Sequence, residues 1–181
     1  MRNEYKIIDN YVIINLNNNK KECYKCFVDL ADLEKLLKFD VTWYPFYDTS
    51  NKSYYARCTA YLGMFDGKAK YKLTYMHKFI FNLETNNLRI DHINYDTLDN
   101  RGTNIRITDH KHNTMSRKGK NSNNKSGHRN VSWNKGSKKW IVQLQLNGVN
   151  TVLGKFNNLD EAGKFAEEKR KEIYGEWAGG N

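Results

Sequence analysis

Residues 114–126, Thr-Met-Ser-Arg-Lys-Gly-Lys-Asn-Ser-Asn-Asn-Lys-Ser, hold one large apolar side chain, Met115. Such a stretch buries too little surface to offset the entropy of ordering it, so no hydrophobic core runs through it. The 181 residues must therefore build separate cores on either side. The expected layout is a β-rich region and a compact site over 1–113, a basic linker over 114–126, and a second domain over 127–181. The expected class is α+β.

The charge has the same boundary. The net charge is +10, which implies a polyanionic partner. Residues 1–104 carry 15 Lys and Arg against 13 Asp and Glu, whereas 105–181 carry 15 against 7. Between Arg106 and Lys139 there are ten basic residues and one acid, Asp109. Arg117, Lys118, Lys120 and Lys125 have no core to serve. They form either a solvated spacer or a cationic tether along DNA, and the second is the expectation.

Several classes are set aside. No apolar run has the length of a membrane span, and the opening residues lack an apolar signal segment. No membrane partner and a cytoplasmic location are expected. Cys23, Cys26 and Cys58 are an odd number and imply no disulfide framework. Cys23-x-x-Cys26 is half of a zinc knuckle with no second pair, so strand residues of a reducing compartment are expected instead.

Before the site, the pattern is mainly β. Strands are expected over Tyr11–Leu16 and Cys23–Val28, split by a polar turn at Asn17–Lys21, and over Trp43–Tyr47, Tyr54–Leu62 and Tyr71–Met76. Leu30, Leu33, Leu36 and Leu37 predict a helix from Asp29 to Lys38, capped by Asp29 or Asp32. Gly63–Lys70 reads as a loop. His77 opens a short apolar helix. The tyrosines suit either a binding surface or amphipathic cover for a thin sheet, and cover is favoured.

Residues 88–113 carry the chemistry. Asp91-His92-Ile93-Asn94, then Asn100, Arg101, Asn104 and Asn113, bring together an acid, an imidazole and carboxamides. Hydrolysing a phosphodiester needs an activated water, charge neutralisation and help for the leaving 3′ oxygen. A neutral imidazole suits the first task near pH 7, and a carboxylate holding Mg²⁺ or Mn²⁺ suits the others. The predicted order is strand to Asp91, loop, strand over Asn104–Thr108, and a helix capped by Asp109. His110 and His112 on that helix suit an extra ligand, a phosphate contact or plain solvent exposure, with exposure favoured.

The spacing resembles that of HNH homing endonucleases from phages and mobile introns. The matching residues are His77-Lys78, Asp91-His92-Ile93-Asn94, Leu98-Asp99-Asn100-Arg101, Asn104-Ile105-Arg106 and Asn113. The resemblance implies a ββα-metal module with His92 as general base and Asp91 and Asn113 as metal ligands. It implies that Asn104 orients the histidine or its loop, while Asn100 and Arg101 pin the loop. Lys78 stands where the family often has Arg. His77 is expected to be structural or to contact phosphate.

Beyond the linker, strands are expected at Val131–Trp133, Trp140–Leu146 and Val149–Leu153. Asn147-Gly148 is a hairpin turn, and a helix runs from Asn158 to about Tyr174 before Gly175. Trp140, Val142, Leu144 and Leu146 would pack on Ala162, Phe165, Ala166 and Ile173, leaving Ile141, Gln143 and Gln145 on an open face. Ser126 to Trp133, Lys139-Trp140, Leu153-Gly154-Lys155-Phe156 and Asp160-Glu161-Ala162 resemble the Apetala/ethylene-response-factor DNA-binding domain. That resemblance implies a three-stranded sheet in the major groove, with Arg129, Asn130, Ser132, Asn134, Gln143, Gln145 and Asn150 meeting DNA. Ser132, Gln145 and Asn150 stand where plant members carry arginines, so the base preference does not carry over.

Together these readings imply a site-specific, metal-dependent endonuclease of a phage or mobile element, acting on double-stranded DNA. A monomer with one active site would nick one strand. The alternatives are a DNA-binding regulator with a degenerate nuclease module and an RNA binder. The first would need a broken Asp91, His92 or Asn113, and none is broken.

Overall fold

The computed structural model describes residues 1–18, 22–83 and 88–180. Among the described residues the chain is α+β, with small antiparallel sheets and four α-helices. It divides into two compact units, Met1–Asp109 and His110–Asn181. The second unit thus begins with the helix that carries Asn113, ahead of the basic stretch.

In the first unit, β1 (Tyr5–Ile8), β2 (Tyr11–Asn17) and β3 (Cys23–Asp29) form one antiparallel sheet. Part of the expected Asn17–Lys21 turn lies outside the described residues. Alternate residues Val12, Ile14 and Leu16 of β2 are fully buried, as period-2 side-chain alternation dictates. Cys26 and Val28 of β3 face the same core, while Cys23, an odd number of residues from Cys26, is exposed. The Cys23-x-x-Cys26 pair therefore points to opposite faces and cannot grip one ion.

The expected helix at Asp29–Lys38 begins as a 3-10 turn, Leu30–Asp32, before α1 (Leu33–Lys38). Neither Asp29 nor Asp32 caps it through its side chain. Asp29 Oδ2 accepts instead from the Gly102 amide, 2.7 Å away, and so ties the end of β3 to the site loop.

A second sheet holds β4 (Tyr44–Asp48), β5 (Ser53–Phe65) and β6 (Lys68–Tyr75), followed by α2 (Met76–Ile80). The expected Gly63–Lys70 loop is instead the end of a long hairpin. Asp66 and Gly67, at φ 50° and 72°, supply the positive-φ turn that matches strand twist. Core residues Val12, Ile14, Leu16, Cys26, Val28, Leu36, Trp43, Ala56, Cys58, Met76 and Ile80 join both sheets and both helices. The unit ends with the hairpin of β7 (Arg89–His92) and β8 (Ile105–Thr108).

The second unit opens with α3 (His110–Met115). A three-stranded antiparallel sheet follows, with β10 (Lys139–Leu146) between β9 (Val131–Asn134) and β11 (Val149–Phe156). Asn147-Gly148 forms the hairpin turn at φ 48° and 84°. Helix α4 (Leu159–Tyr174) is capped by the Asn158 side chain, which accepts from the amides of Asp160 and Glu161. Val131, Val142, Ala162 and Ala166 form its core with Trp140, Phe156, Leu159 and Phe165.

Two expectations change here. Ile173 is exposed rather than packed in that core. Ile141, assigned to the open face, is buried, because it sits on the middle strand with Ser132 and Lys155 directly opposite on either side. No helix among the described residues is long and apolar enough to cross a membrane.

Candidate active site

The β7–β8 hairpin brings Asp91 opposite Arg106 and His92 opposite Ile105. Directly opposed residues share a face of the sheet, so Arg106 reaches Asp91. Its Nε and Nη2 lie 2.7 and 2.6 Å from Asp91 Oδ2. Both contacts fall on Oδ2, and Oδ1 takes neither. Arg106 had no role in the sequence reading beyond its place in Asn104-Ile105-Arg106. Period-2 pairing across the two strands was the signal for it.

His92 is 5% exposed. Its Nε2 lies 3.2 Å from Asn100 Oδ1. The amide orientation follows from the other end: Asn100 Nδ2 donates to Cys26 Sγ at 3.2 Å, and Cys26 Sγ donates to Met76 Sδ at 3.5 Å. Asn100 Oδ1 can then only accept, so Nε2 carries the proton and Nδ1 keeps its lone pair. Burial pushes the Cys26 thiol up to about 12, which keeps it protonated as a donor. Burial also pushes the His92 imidazole below its ordinary 6.5, against the opposing pull of Asn100, Asp91, Asp96 and Asp99. The ring is therefore neutral at pH 7, with a fixed tautomer.

The loop between the strands is tied to itself and to β3. Asn100 N donates to Phe27 O at 2.8 Å, and Phe27 N donates to Leu98 O at 2.9 Å. Asp99, quoted in the motif without a role, is the hub. Arg101 grips it through Nε to Oδ1 and Nη2 to Oδ2, both 2.7 Å, and Asn94 Nδ2 adds 3.2 Å to Oδ2. Burial raises the Asp99 carboxyl, but Arg101 and Asn94 outweigh it and hold it below the carboxylate range. Arg101 also lies over the Tyr11 and Phe27 rings. Arg101 thus ties the loop together through Asp99.

Asn104 is buried, and both ends of its amide are used on backbone. Oδ1 accepts from Asn94 N at 2.9 Å, and Nδ2 donates to Asp99 O at 2.8 Å. It orients the loop rather than touching the imidazole. His77 is buried beside His92, with ring centroids 5.4 Å apart, and packs on Tyr75 and Tyr55. That enclosure packs His77 among aromatic rings. It also gives Tyr55 and Tyr75 a role as cover, as the sequence favoured.

A divalent ion in this hairpin would depend on Asp91. A carboxylate oxygen is the hard donor that Mg²⁺ prefers, and Asp91 Oδ1 has that character. Arg106 on Oδ2 already supplies one positive charge. Among the described residues no three His, Cys, Asp or Glu side chains gather as a ligand set, so carboxamides and water would have to complete such a shell.

Asn113 is half-buried on α3 and His110 is exposed. His112, expected in solvent, packs its ring 4.8 Å from that of Trp177. Arg117, Lys118, Lys120 and Lys125 are exposed. Ser132, Asn134, Gln145 and Asn150 are exposed and Gln143 is half-buried. The Asn130 amide is engaged, donating to Gln143 O at 3.0 Å.

Arg129 departs from its expected role. It is 5% exposed, and its guanidinium donates to Met115 O at 2.7 Å, Arg117 O at 2.6 Å, and Ala178 and Gly180 O at 3.3 Å. A fork of five donors is suited to collecting carbonyls at a helix end. Arg129 therefore closes the C-terminus of α3 and holds the terminal segment, and it does not face a ligand.

No protein-family model, curated protein or solved structure matches the chain.

Proposed function

We propose that the chain is an HNH-like, metal-dependent endonuclease that nicks double-stranded DNA, with His92 as general base. The observation that carries this reading is the donor series Met76–Cys26–Asn100–His92. It supports a neutral imidazole whose Nδ1 is the accepting atom, beside a carboxylate. A general base needs that arrangement near neutral pH.

In this reading His92 Nδ1 takes a proton from water, and the oxygen left behind attacks phosphorus as the P–O3′ bond breaks. Asn100 keeps Nε2 protonated and holds the ring through the transfer. Asp91 would hold Mg²⁺ or Mn²⁺, which neutralises charge on the phosphate and the leaving oxygen when bound. Asn113, expected as a second ligand, belongs to the second unit, outside the unit that holds Asp91. The exposed residues Ser132, Asn134, Gln145 and Asn150, with half-buried Gln143, are the proposed readers of DNA, joined by the basic stretch from Arg117 to Lys125.

The test is supercoiled plasmid incubated with the purified protein and Mg²⁺. Conversion to open circle is expected for the wild type. His92→Ala should lower the rate about 10²–10⁴-fold with DNA binding retained. An intact plasmid with wild-type protein in both Mg²⁺ and Mn²⁺, alongside tight sequence-selective binding, would favour the regulator instead.

A further inference from the structure

β4 pairs only with Ser53–Arg57 of β5. From Cys58 onward β5 and β6 run as a two-stranded ribbon to the Asp66-Gly67 turn. Opposed residues share a face, so register sorts the side chains. Ala60 is opposite Lys72, Gly63 opposite Lys70, and Phe65 opposite Lys68. Tyr61 opposite Tyr71 and Met64 opposite Ala69 make the other face, and Leu62 lies at the register shift between them. Cys58 and Ala60 are buried in the first unit, and beyond them both faces emerge into solvent. Tyr61, Met64, Tyr71 and Leu73 are each more than half exposed.

The ribbon carries three lysines and one acid, Asp66 at the turn. Lys68, Lys70 and Lys72 recur about every 7 Å along the strand, roughly two base-pair steps of a duplex. Lys70 Nζ sits 5.0 Å from the Phe65 ring centre, which keeps that ammonium on the lysine face. Lysines on an edge strand also oppose pairing with a second copy. A two-stranded ribbon is narrow enough to enter the major groove of B-DNA.

We propose that this ribbon is a duplex-DNA contact, with Lys68, Lys70 and Lys72 on the phosphate backbone. It adds a basic element before the candidate active site, where the sequence had placed the charge only after it. The inference rests on the DNA reading above but not on catalysis.

The test uses the full chain and a short mixed-sequence duplex, with affinity measured from low to high salt. The Lys68→Gln, Lys70→Gln, Lys72→Gln triple variant should lose about 2.7 units of log-log salt slope. The corresponding triple Arg variant should keep the wild-type slope. Parallel lines for wild type and the Gln variant would overturn the assignment while leaving DNA binding by the rest of the chain intact. A wild type that binds no duplex would overturn both this inference and the DNA reading. A wild-type dimer in sedimentation that Tyr71→Glu dissolves, with the salt slope of the Gln variant unchanged, would give the ribbon to a second copy instead.

Discussion

At the residue scale the candidate site depends on which atoms keep their protons. Asn100 has one oxygen and one nitrogen to offer, and Cys26 takes the nitrogen. Asn100→Leu should therefore lower the nicking rate roughly 10- to 100-fold, as loss of an outer-shell partner does at comparable sites. It should also release the His92 tautomer, visible in the ¹⁵N shifts of the imidazole, which a change confined to loop packing would leave in place. His77 offers a separate test through pH. Burial, with His92 and Lys78 adding to it, lowers its pKa from 6.5 to about 3. The unfolded chain takes up that proton below pH 6.5, and the folded chain does not until about pH 3. Stability is thus fully present above 6.5 and is lost as pH falls, by about 1.4 kcal/mol per unit. Going from pH 7 to 5 should cost about 2 kcal/mol from this group, read from urea midpoints, and His77→Gln should flatten the dependence.

At the element scale, local signals and long-range needs diverge. Asn158 caps α4 as its sequence position suggests, and Asn158→Ala should lower stability by about 1 kcal/mol. Arg129 tests the opposite case. It looked like a DNA contact because an arginine at that motif position meets DNA in the family it resembles. In the fold it serves carbonyls at the end of α3 and in the terminal segment. Arg129→Ala should cost about 3 kcal/mol, since it leaves buried carbonyls without donors. Its salt slope for DNA, measured below the unfolding temperature, should match the wild type. A stable variant with a reduced slope would return Arg129 to the interface.

At the scale of the whole molecule, charge is the property on which the proposed DNA contacts of both units depend. The +10 net charge predicts binding that weakens steeply with salt. If Arg117, Lys118, Lys120 and Lys125 each meet a phosphate, replacing all four by alanine should reduce the slope by about 3–4 units. Sequence preference should barely change, because phosphate contacts position a protein without reading bases. Identical slopes would make this stretch a spacer.

The strands and helices around the site were legible because their signals are local. Alternation in Tyr11–Asn17, Asn-Gly at 147–148 and the Asn158 cap each act within a few residues. The adjacency of Asp91 and His92 was likewise plain from the chain. The partners of those residues were not. Asn100 meets Cys26 across 74 positions, and Gly102 meets Asp29 across 73. Arg106 finds Asp91 only once β7 and β8 are in register. Gly63–Lys70 read as a loop, but whether it was a loop or the end of a ribbon depended on how far β5 and β6 paired. A sequence specifies backbone preference and side-chain chemistry residue by residue. Which donor meets which acceptor, and which arginine is buried, depends on contacts between distant segments that form only as the chain packs.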